Sequence, residues 1–323
     1  MQAIVQTEYG PSEVLSIAEV ALPAPKANEV LVKVRAAGVH AGDWHLMRGT
    51  PFLVRLIFGG LRQPKITTIG TDMAGIVEAV GSAVKQFQPG DDVFGDLSEC
   101  GFGAFAEYVA VPEVALAIKP RNVSFEAAAT VPVSAMTALQ ALRDVGQVQA
   151  GQRVLINGAS GGVGSFAVQI AKAFGAEVTA VCRTEKMAMV RSLGADHIID
   201  YTQTDCTKTG ERYDLILDAA AYRSVLAFLP RLKPQGTYVM IGGETARIFQ
   251  VMLFGPIMGK IKKRNVKFLA QKPNPADLVI LRDMIESGKI IPVVDRTYPL
   301  SEVAAAIDYV ETRQVQGKVA IRI

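Results

Sequence analysis

The chain has 323 residues, of which half are hydrophobic and 20% are charged, and its 34 basic and 31 acidic residues give a formal net charge of +3. This length allows two domains that each bury a core, and the composition excludes a disordered or fibrous protein. So small a net charge gives no reason to expect nucleic acid as a partner.

Up to about residue 120 the chain alternates short β-rich runs with turns, which predicts a compact, irregular β-barrel. The runs are AIVQTEY, VLVKVRAAGV, TDMAGIVEAVG, DDVFGDL and AFAEYVAVP. Residues 125–145 then predict a helix, and four repeats of strand and helix follow, an α/β pattern typical of a doubly wound parallel sheet. The predicted strands are Arg153–Asn157, Glu177–Val181, Tyr213–Asp218 and Thr237–Ile241.

From Val266 the pattern changes again. Residues 275–288 and 301–313 predict helices, and the chain ends in the strand GKVAIRI, which we expect to return to the first domain. The predicted division is a first domain of residues 1–122, a doubly wound domain of residues 123–265 and a C-terminal return of residues 266–323.

The sequence RVLINGASGGVG, residues 153–164, joins a buried strand to a helix through a turn that contains Gly158, Gly161, Gly162 and Gly164. Without side chains, the turn lets backbone N–H groups approach a pyrophosphate, and the helix N-terminus adds partial positive charge. A glycine turn also ends many strands for steric reasons alone. Because strand, turn and helix occur in the order that a dinucleotide site requires, we interpret the segment as that site.

The end of the next strand indicates which dinucleotide binds. NAD-binding proteins usually place an acidic residue there for the ribose hydroxyls, whereas this strand ends in Cys182, Arg183 and Thr184. Glu185, the nearest acid, fits the first turn of a helix capped by Thr184. Arg183 and Lys186 are suited to a 2′-phosphate, which favours NADPH; the alternative is that both are solvated surface cations.

The three cysteines, Cys100, Cys182 and Cys206, lie far apart, so the sequence offers neither a disulfide framework nor a cysteine zinc lobe. No apolar run reaches the length of about 18 residues that a transmembrane helix needs, and the first residues lack the pattern of a secretion signal. We therefore expect a cytoplasmic protein.

Two apolar segments, residues 50–64 and 247–265, are too short and too interrupted to span a bilayer. We expect the first to form a lid or wall over an apolar pocket. The second is interpreted as a dimer interface or a pocket wall. Its basic cluster leaves a peripheral contact with anionic lipid open as an alternative. The cluster consists of Lys260, Lys262, Lys263 and Arg264.

Eight segments, spread over nearly the whole chain, together form a family pattern. They are AAGVHAGDWHLMRG (36–49), IGTDMAGIVEAVG (69–81), PGDDVFG (89–95), AFAEYVAVP (104–112), PVSAMTALQAL (132–142), GASGGVGSFAVQIAKAFGAEV (158–178), SLGADHIIDY (192–201) and GKVAI (317–321). In this pattern the chain resembles the medium-chain dehydrogenase/reductase superfamily, and within it the zinc-free quinone oxidoreductase group that includes zeta-crystallin. The resemblance implies a GroES-like β-barrel catalytic domain closed by the C-terminal return, a Rossmann domain, a cleft in which nicotinamide meets substrate, and a homodimer formed through the Rossmann edge.

The resemblance also implies contacts to the cofactor. They fall at the phosphates, the nicotinamide, the adenosine phosphate, the end of the fifth Rossmann strand and the return of the tail to the cleft. In that order they are Ser160, Gly161, Gly162 and Val163; Thr137; Tyr201; Ile241, Gly242 and Gly243; and Phe268, Leu269 and Ala270.

Zinc-dependent members of the superfamily hold the metal with a cysteine, a histidine–glutamate segment and a later cysteine. This chain instead has His40 in VHAGD and Thr71 and Asp72 in IGTDMAG, with no cysteine partner. His40, Asp43 and His45 lie on one short turn without a distant further ligand. Because a productive zinc site needs three well-placed protein ligands, we expect no zinc.

Without a metal, the reaction favours an acceptor whose product oxyanion is delocalised, and quinones and α,β-unsaturated carbonyls are such acceptors. Three residues are candidates for the catalytic site. By resemblance His40 lies near the nicotinamide, where its imidazole either donates to the developing oxyanion or packs against and orients the cofactor. Asp43 caps the following turn or acts as a base, and Trp44 walls the pocket or fills the barrel.

The sequence therefore predicts an NADPH-dependent, zinc-independent reductase that transfers hydride to small apolar quinones or α,β-unsaturated carbonyls. Three alternatives remain. The first is reduction of enoyl thioesters, the second is oxidoreduction of aldehydes and alcohols, and the third is a non-catalytic role as an NADPH-binding protein.

Overall fold

The computed structural model describes residues 1–58 and 60–323, apart from the side chains at 245, 256 and 259–262. The chain forms two compact units. The first unit comprises Met1–Met136, Pro273–Gly288 and Pro292–Ile323, and the second comprises Thr137–Lys272 and Lys289–Ile291. The predicted domain division at residues 122/123 and 265/266 stays a prediction.

Strands and helices are numbered in chain order. The strands are β1 (Gln2–Gln6), β2 (Leu15–Glu19), β3 (Glu29–Val39), β4 (Asp72–Val80), β5 (Asp92–Asp96), β6 (Tyr108–Pro112), β7 (Leu116–Ile118), β8 (Arg153–Asn157), β9 (Glu177–Cys182), β10 (His197–Asp200), β11 (Tyr213–Asp218), β12 (Leu232–Met240), β13 (Asn265–Phe268), β14 (Val294–Pro299) and β15 (Lys318–Arg322). The helices are α1 (Ala41–Arg48), α2 (Phe52–Ile57), α3 (Phe125–Ala129), α4 (Pro132–Gln140), α5 (Gly162–Ala173), α6 (Met187–Ser192), α7 (Val225–Phe228), α8 (Thr245–Lys262), α9 (Pro275–Glu286) and α10 (Val303–Glu311).

The first unit is built on a largely antiparallel sheet in the order β14-β15-β3-β4-β5-β7, with β6 also paired to β3. Within β3, Val32 and Val34 are buried while Lys33 and Arg35 are exposed. This alternation is the period-two pattern of a strand with one face on a core. The final strand, β15, pairs antiparallel with β3, so the C-terminus is part of this sheet.

The second unit contains a parallel sheet in the order β10-β9-β8-β11-β12-β13. Numbered from β8, this is the 3-2-1-4-5-6 order of a Rossmann fold. The predicted fold class, α/β with a GroES-like β-barrel domain and a Rossmann domain with a doubly wound parallel sheet, is confirmed. Strands β8 and β11 have the predicted bounds, whereas β12 begins five residues earlier than predicted, at Leu232 rather than Thr237.

The helix predicted over residues 125–145 is interrupted. Helix α3 ends at Ala129, α4 begins at Pro132, and residues 141–145 form a π-helical turn. Proline lacks a backbone N–H and disfavours a helical residue before it, so Val131 and Pro132 separate the two helices.

The two apolar segments contain α2 and most of α8, and both helices expose large side chains. On α2, Phe52, Leu53, Leu56 and Ile57 are 45–66% exposed; on α8, Phe249, Met252, Leu253, Phe254 and Ile257 are 46–64% exposed. Over the part of the chain that is described, no helix has both the length and the apolar character that crossing a membrane requires. The side chains of Lys260 and Lys262, on which the predicted lipid contact partly depends, lie outside the described residues.

Candidate active site

The turn after β8 requires glycine at two positions. Gly158 has a φ of +83°, a left-handed conformation that favours glycine. A Cβ on Gly164 would lie 2.1 Å from the carbonyl oxygen of Gly158, so the first turn of α5 packs directly on the backbone before it. Gly161 is the N-cap of α5, and no side chain among the described residues caps this end. A bare helix N-terminus beside such a turn fits a pyrophosphate.

The other residues predicted at the phosphates lie in this same turn. Ser160 precedes the N-cap, and Gly162 and Val163 begin α5. Thr137, predicted at the nicotinamide, is buried on α4. The structure thus places the phosphate residues together, and their contacts with a cofactor stay predictions.

Arg183 and Tyr201 meet beyond the carboxyl ends of β9 and β10. The Nε of Arg183 donates to the Tyr201 hydroxyl at 2.6 Å, and the guanidinium lies 6.0 Å from the ring centroid. Both residues are exposed, so the guanidinium is accessible to a ligand. Lys186 differs, because it is buried. The two cations predicted to bind the 2′-phosphate therefore lie in different environments, one exposed and one buried.

The expectation that Thr184 caps a helix here is wrong. Residues 184–186 form a short 3-10 turn that begins after Arg183, and the Thr184 hydroxyl donates to Oδ2 of Asp200 instead. Asp200 is within reach of the Thr184 hydroxyl because β10 pairs with β9 and brings Asp200 opposite Cys182.

The last two groups of predicted cofactor residues lie at the same edge of the parallel sheet. Ile241, Gly242 and Gly243 directly follow β12, which ends at Met240; Phe268 ends β13, and Leu269 and Ala270 follow it. The backbone N–H of Leu269 donates to the Met240 carbonyl at 2.9 Å, which joins the two groups. In open α/β sheets, ligands bind at the carboxyl ends of the strands.

Asp218 organises this edge and is not among the site residues predicted from the sequence. Its Oδ1 accepts from Asn157 Nδ2 at 2.8 Å and from the Ala221 N–H at 2.7 Å, and its Oδ2 accepts from the Tyr238 hydroxyl at 2.6 Å. Burial raises the pKa of Asp218 above its ordinary value. A charged residue at the end of the apolar strand YDLILD was the available signal.

His40 lies between β3 and α1 in the first unit. It is the N-cap of α1, and its Nδ1 accepts from the Gly42 N–H at 2.9 Å. Its Nε2 is hydrogen-bonded to the Thr71 hydroxyl. The pairing of β3 with β4 sets Gly38 opposite Asp72. This register brings His40, just beyond the end of β3, close to Thr71, just before the start of β4. Burial, followed by the charge of Lys318, holds the pKa of His40 well below its usual value.

Asp43 completes the cap of α1, with one oxygen unused. Its Oδ2 accepts from the His40 N–H at 2.8 Å, whereas its Oδ1 is buried without a partner among the described residues. Burial raises the pKa of Asp43 to about 8. Trp44 is partly buried against the core of the first unit and stacks on His45 at 3.6 Å between ring centroids.

A buried ion pair, absent from the sequence analysis, lies beside these residues. Lys318 Nζ is 3.2 Å from Oδ2 of Asp72, and both side chains are at most 2% exposed. The other oxygen of Asp72 accepts from the Val133 N–H in the first turn of α4 at 2.8 Å. Burial raises the pKa of Asp72, and Lys318 opposes this effect. A lysine in the apolar run KVAIRI was the signal for it.

The family of the chain follows from comparison with known proteins. Its residues 26–121 match the family model of the alcohol dehydrogenase GroES-like domain, and residues 193–321 match that of zinc-binding dehydrogenases. The NADPH-dependent alkenal/one oxidoreductase of Arabidopsis thaliana, a chloroplastic protein, is 36% identical over 335 residues, covering 99% of this chain and 79% of that protein. This chain belongs to the medium-chain dehydrogenase/reductase superfamily.

Solved structures of superfamily members resemble this chain over its full length. The quinone oxidoreductase of Coxiella burnetii has a TM-score of 0.89 and 29% identity, covering 100% of this chain and 99% of that one. The Escherichia coli quinone oxidoreductase, solved in complex with NADPH, has a TM-score of 0.85 and 25% identity and covers both chains fully. The quinone oxidoreductase group predicted from the motifs is confirmed.

The histidines considered above as zinc ligands make other contacts in this structure. Among residues 1–58 and 60–323 as described, no three His, Cys, Asp or Glu side chains form a group that could hold a metal ion. The ring nitrogens of His40 are both hydrogen-bonded, and Nδ1 of His45 lies 2.6 Å from the Thr50 carbonyl oxygen. Zinc independence stays a prediction that metal analysis can test.

Proposed function

We propose that this chain is an NADPH-dependent reductase that transfers hydride to quinones or α,β-unsaturated carbonyls without a metal. The observation that carries the proposal is the glycine turn between β8 and α5, whose backbone fits a pyrophosphate. The 36% sequence identity with the Arabidopsis NADPH-dependent alkenal/one oxidoreductase supports the substrate class and the cofactor. The fold shared with the NADPH-bound E. coli quinone oxidoreductase supports them as well.

In this proposal the turn formed by Ser160, Gly161, Gly162 and Val163 binds the pyrophosphate through backbone N–H groups and the positive end of α5. A bound NADPH supplies the hydride. Thr137 and the strand-end residues at 241–243 and 268–270 hold the nicotinamide half.

The adenosine end is assigned to Arg183 and Tyr201. A guanidinium is suited to a phosphate because it donates several hydrogen bonds in a fixed plane, and the bond to the Tyr201 hydroxyl limits its orientation. Lys186 is buried, so its contribution to the 2′-phosphate is long-range positive charge rather than direct contact.

The acceptor side is assigned to the region of His40, Asp43 and Trp44. A metal-free reductase stabilises the developing oxyanion through preorganised hydrogen-bond donors. Asp43 fixes the backbone of His40 at the start of α1 and is not required to act as a base. Trp44 provides an apolar surface for the acceptor.

We further propose that the protein acts in the cytoplasm as a homodimer. The exposed apolar side chains of α8 and the outer strand β13 of the Rossmann sheet support a subunit contact. Helix α2, with its exposed apolar side chains, is proposed to border the acceptor as a lid.

Steady-state oxidation of NADPH with a panel of acceptors tests the proposal. The panel contains quinones, enals, enones, an enoyl thioester and simple aldehydes, with NADH as the matched cofactor control. We expect turnover with quinones or unsaturated carbonyls and a preference for NADPH. Turnover confined to the thioester or the aldehydes would transfer the assignment to those classes, and tight NADPH binding with no turnover would favour a binding protein.

A further inference from the structure

We propose that the Thr71 hydroxyl donates the hydrogen bond that stabilises the acceptor's oxyanion, and that His40 positions this hydroxyl. This inference rests on the proposed function and refines its acceptor site. It assigns a role to a residue that is singled out neither as a catalytic candidate nor as a cofactor contact.

The hydrogen bonds of the His40 ring show which of its two nitrogens carries the proton. A backbone N–H can only donate, and the Gly42 N–H points to Nδ1 at 2.9 Å. Nδ1 must therefore carry a lone pair and no proton. A neutral imidazole has one N–H, so the proton of His40 lies on Nε2.

The proton on Nε2 fixes the direction of the hydrogen bond between His40 and Thr71. With its proton on Nε2, His40 donates, and the Thr71 hydroxyl oxygen accepts. The hydroxyl proton of Thr71 then remains to be donated elsewhere, and no acceptor for it is found among the described residues. Thr71 is only 2% exposed, so its hydroxyl, held in place by His40, is a buried donor whose proton has no acceptor among the described residues.

The charged groups around the His40 ring leave its Nε2–H free to donate to the Thr71 hydroxyl oxygen. Asp43 Oδ2 is 3.9 Å from His40 Nε2, beyond hydrogen-bond distance, and already accepts from the His40 N–H. Asp72 is engaged by Lys318 and Val133, and Asp96 accepts from Ser98 N–H. The hydrogen bonds of Asp43 and Asp72 are thus made to groups other than Nε2. Lys318 and burial disfavour a second proton on the ring.

The chemistry requires a donor of this kind. When hydride forms a C–H bond at the β-carbon of an enone, the π electrons move to the carbonyl oxygen and leave an enolate. The Thr71 O–H donates a hydrogen bond to that oxygen and keeps its proton, while water supplies the proton that completes the product. His40 raises the polarity of the Thr71 O–H because hydrogen bonds in a chain polarise one another.

The test compares Thr71→Val with Thr71→Ser, and uses Thr130→Val as the matched control. Thr130 is a buried threonine of the same unit, whose hydroxyl donates to the Ala127 carbonyl. In Thr71→Val we expect kcat with an enone to fall about 100-fold, the usual cost of removing one oxyanion donor. With a quinone, whose product anion is spread over an aromatic ring and so places less charge on the oxygen than an enolate does, the expected loss is smaller than with the enone. Thr71→Ser keeps the donor, and NADPH affinity is unchanged in every variant.

A second readout needs no cofactor and no turnover. Nitrogen-15 NMR of the ligand-free protein should show His40 as the neutral Nε2–H tautomer. If Thr71→Val does not fold, Thr71→Cys, a weak donor, should fall between serine and valine in kcat.

The experiments distinguish a failure of the role proposed for Thr71 from a failure of the proposed reductase function. Equal kcat for Thr71→Val and Thr130→Val in an enzyme whose wild type reduces the enone would overturn the role of Thr71 and leave the proposed function intact. A proton on Nδ1 would overturn it as well. A wild type that oxidises no NADPH with any acceptor would overturn both.

Discussion

At the scale of single residues, Arg183 and Lys186 have the same charge but different environments. Arg183 is exposed and oriented by Tyr201, whereas Lys186 is buried. A specific contact with a phosphate requires an accessible guanidinium. The sequence identified both cations but could not distinguish them, because burial depends on how the turn at residues 184–186 packs.

We therefore predict that Arg183→Ala weakens NADPH binding roughly tenfold or more, while NADH binding changes little, since a charge-assisted bond to the 2′-phosphate is lost. Arg191→Ala removes the same charge from an exposed position on nearby α6 and serves as the control. Fluorescence titration of each variant with both nucleotides gives the affinities. Equal losses for NADPH and NADH would remove the basis for the preference.

The buried carboxyl of Asp43 makes stability depend on pH. Its pKa is about 8 in the folded chain, and an unfolded aspartate has a pKa near 3.9. Between these values the folded state holds a proton that the unfolded state has lost, so the free energy of unfolding falls as pH rises. Asp72, Asp96 and Lys318 share this region, and Asp72 changes in the same direction.

We predict that Asp43→Asn reduces this pH dependence by up to about 1.4 kcal/mol per pH unit between about pH 5 and 8, because asparagine does not ionise. The amide oxygen can still accept from His40 N–H. Urea unfolding at a series of pH values measures the slope, with Glu78→Gln, an exposed carboxylate of β4, as the control. An unchanged slope in Asp43→Asn would show that the carboxyl is ionised in the folded chain.

At the scale of elements, the glycine turn contains two positions with separable roles. A Cβ at Gly164 would meet backbone at 2.1 Å, whereas a Cβ at Gly161 would lie 3.6 Å from its nearest neighbour, the Gly158 oxygen. The first position controls the approach of α5 to the turn. At the second position, Gly161, the protein has room for a methyl group, because no atom lies as close to a Cβ there as at Gly164.

We predict that Gly164→Ala destabilises the second unit by about 1–3 kcal/mol or more, the usual cost of inserting a methyl group where none fits. Gly161→Ala should retain the thermal stability of the wild type and lose NADPH affinity, because its methyl group enters the space assigned to the phosphates. Thermal unfolding and NADPH titration of both variants check this. Wild-type affinity in Gly161→Ala would place the phosphates elsewhere.

Sequence patterns predicted the elements whose signal is local. Strands β8 and β11 were found at their observed bounds because continuous apolar runs are flanked by turn residues. The interruption of the helix at Pro132 was missed, although the proline was visible. The bond between His40 and Thr71 could not be predicted, because it depends on the register of β3 against β4 rather than on spacing along the chain.

At the scale of the whole molecule, the exposed apolar side chains of α8 require an explanation. Monomeric proteins rarely expose contiguous apolar patches of this kind, and the proposed homodimer would cover them. Leu253 is 64% exposed on α8, and Leu226 is 52% exposed on α7 of the same unit. The two leucines provide a matched pair.

We predict a wild-type mass of twice the 34.6 kDa chain by light scattering, and a shift toward the monomer in Leu253→Glu but not in Leu226→Glu. A buried glutamate at a subunit contact is costly because its charge loses water without gaining a partner. A wild-type protein that is monomeric at all concentrations would contradict the dimer. Equal dissociation of both variants would place the contact away from α8.

The central claim is that this chain passes hydride from NADPH to the carbon of an unsaturated acceptor. The direct measurement supplies NADPH deuterated at the transferring C4 position together with an α,β-unsaturated aldehyde or ketone, and locates the label in the product by NMR. We predict deuterium at the β-carbon and a saturated carbonyl product. Deuterium at the carbonyl carbon, or unlabelled product, would contradict the account.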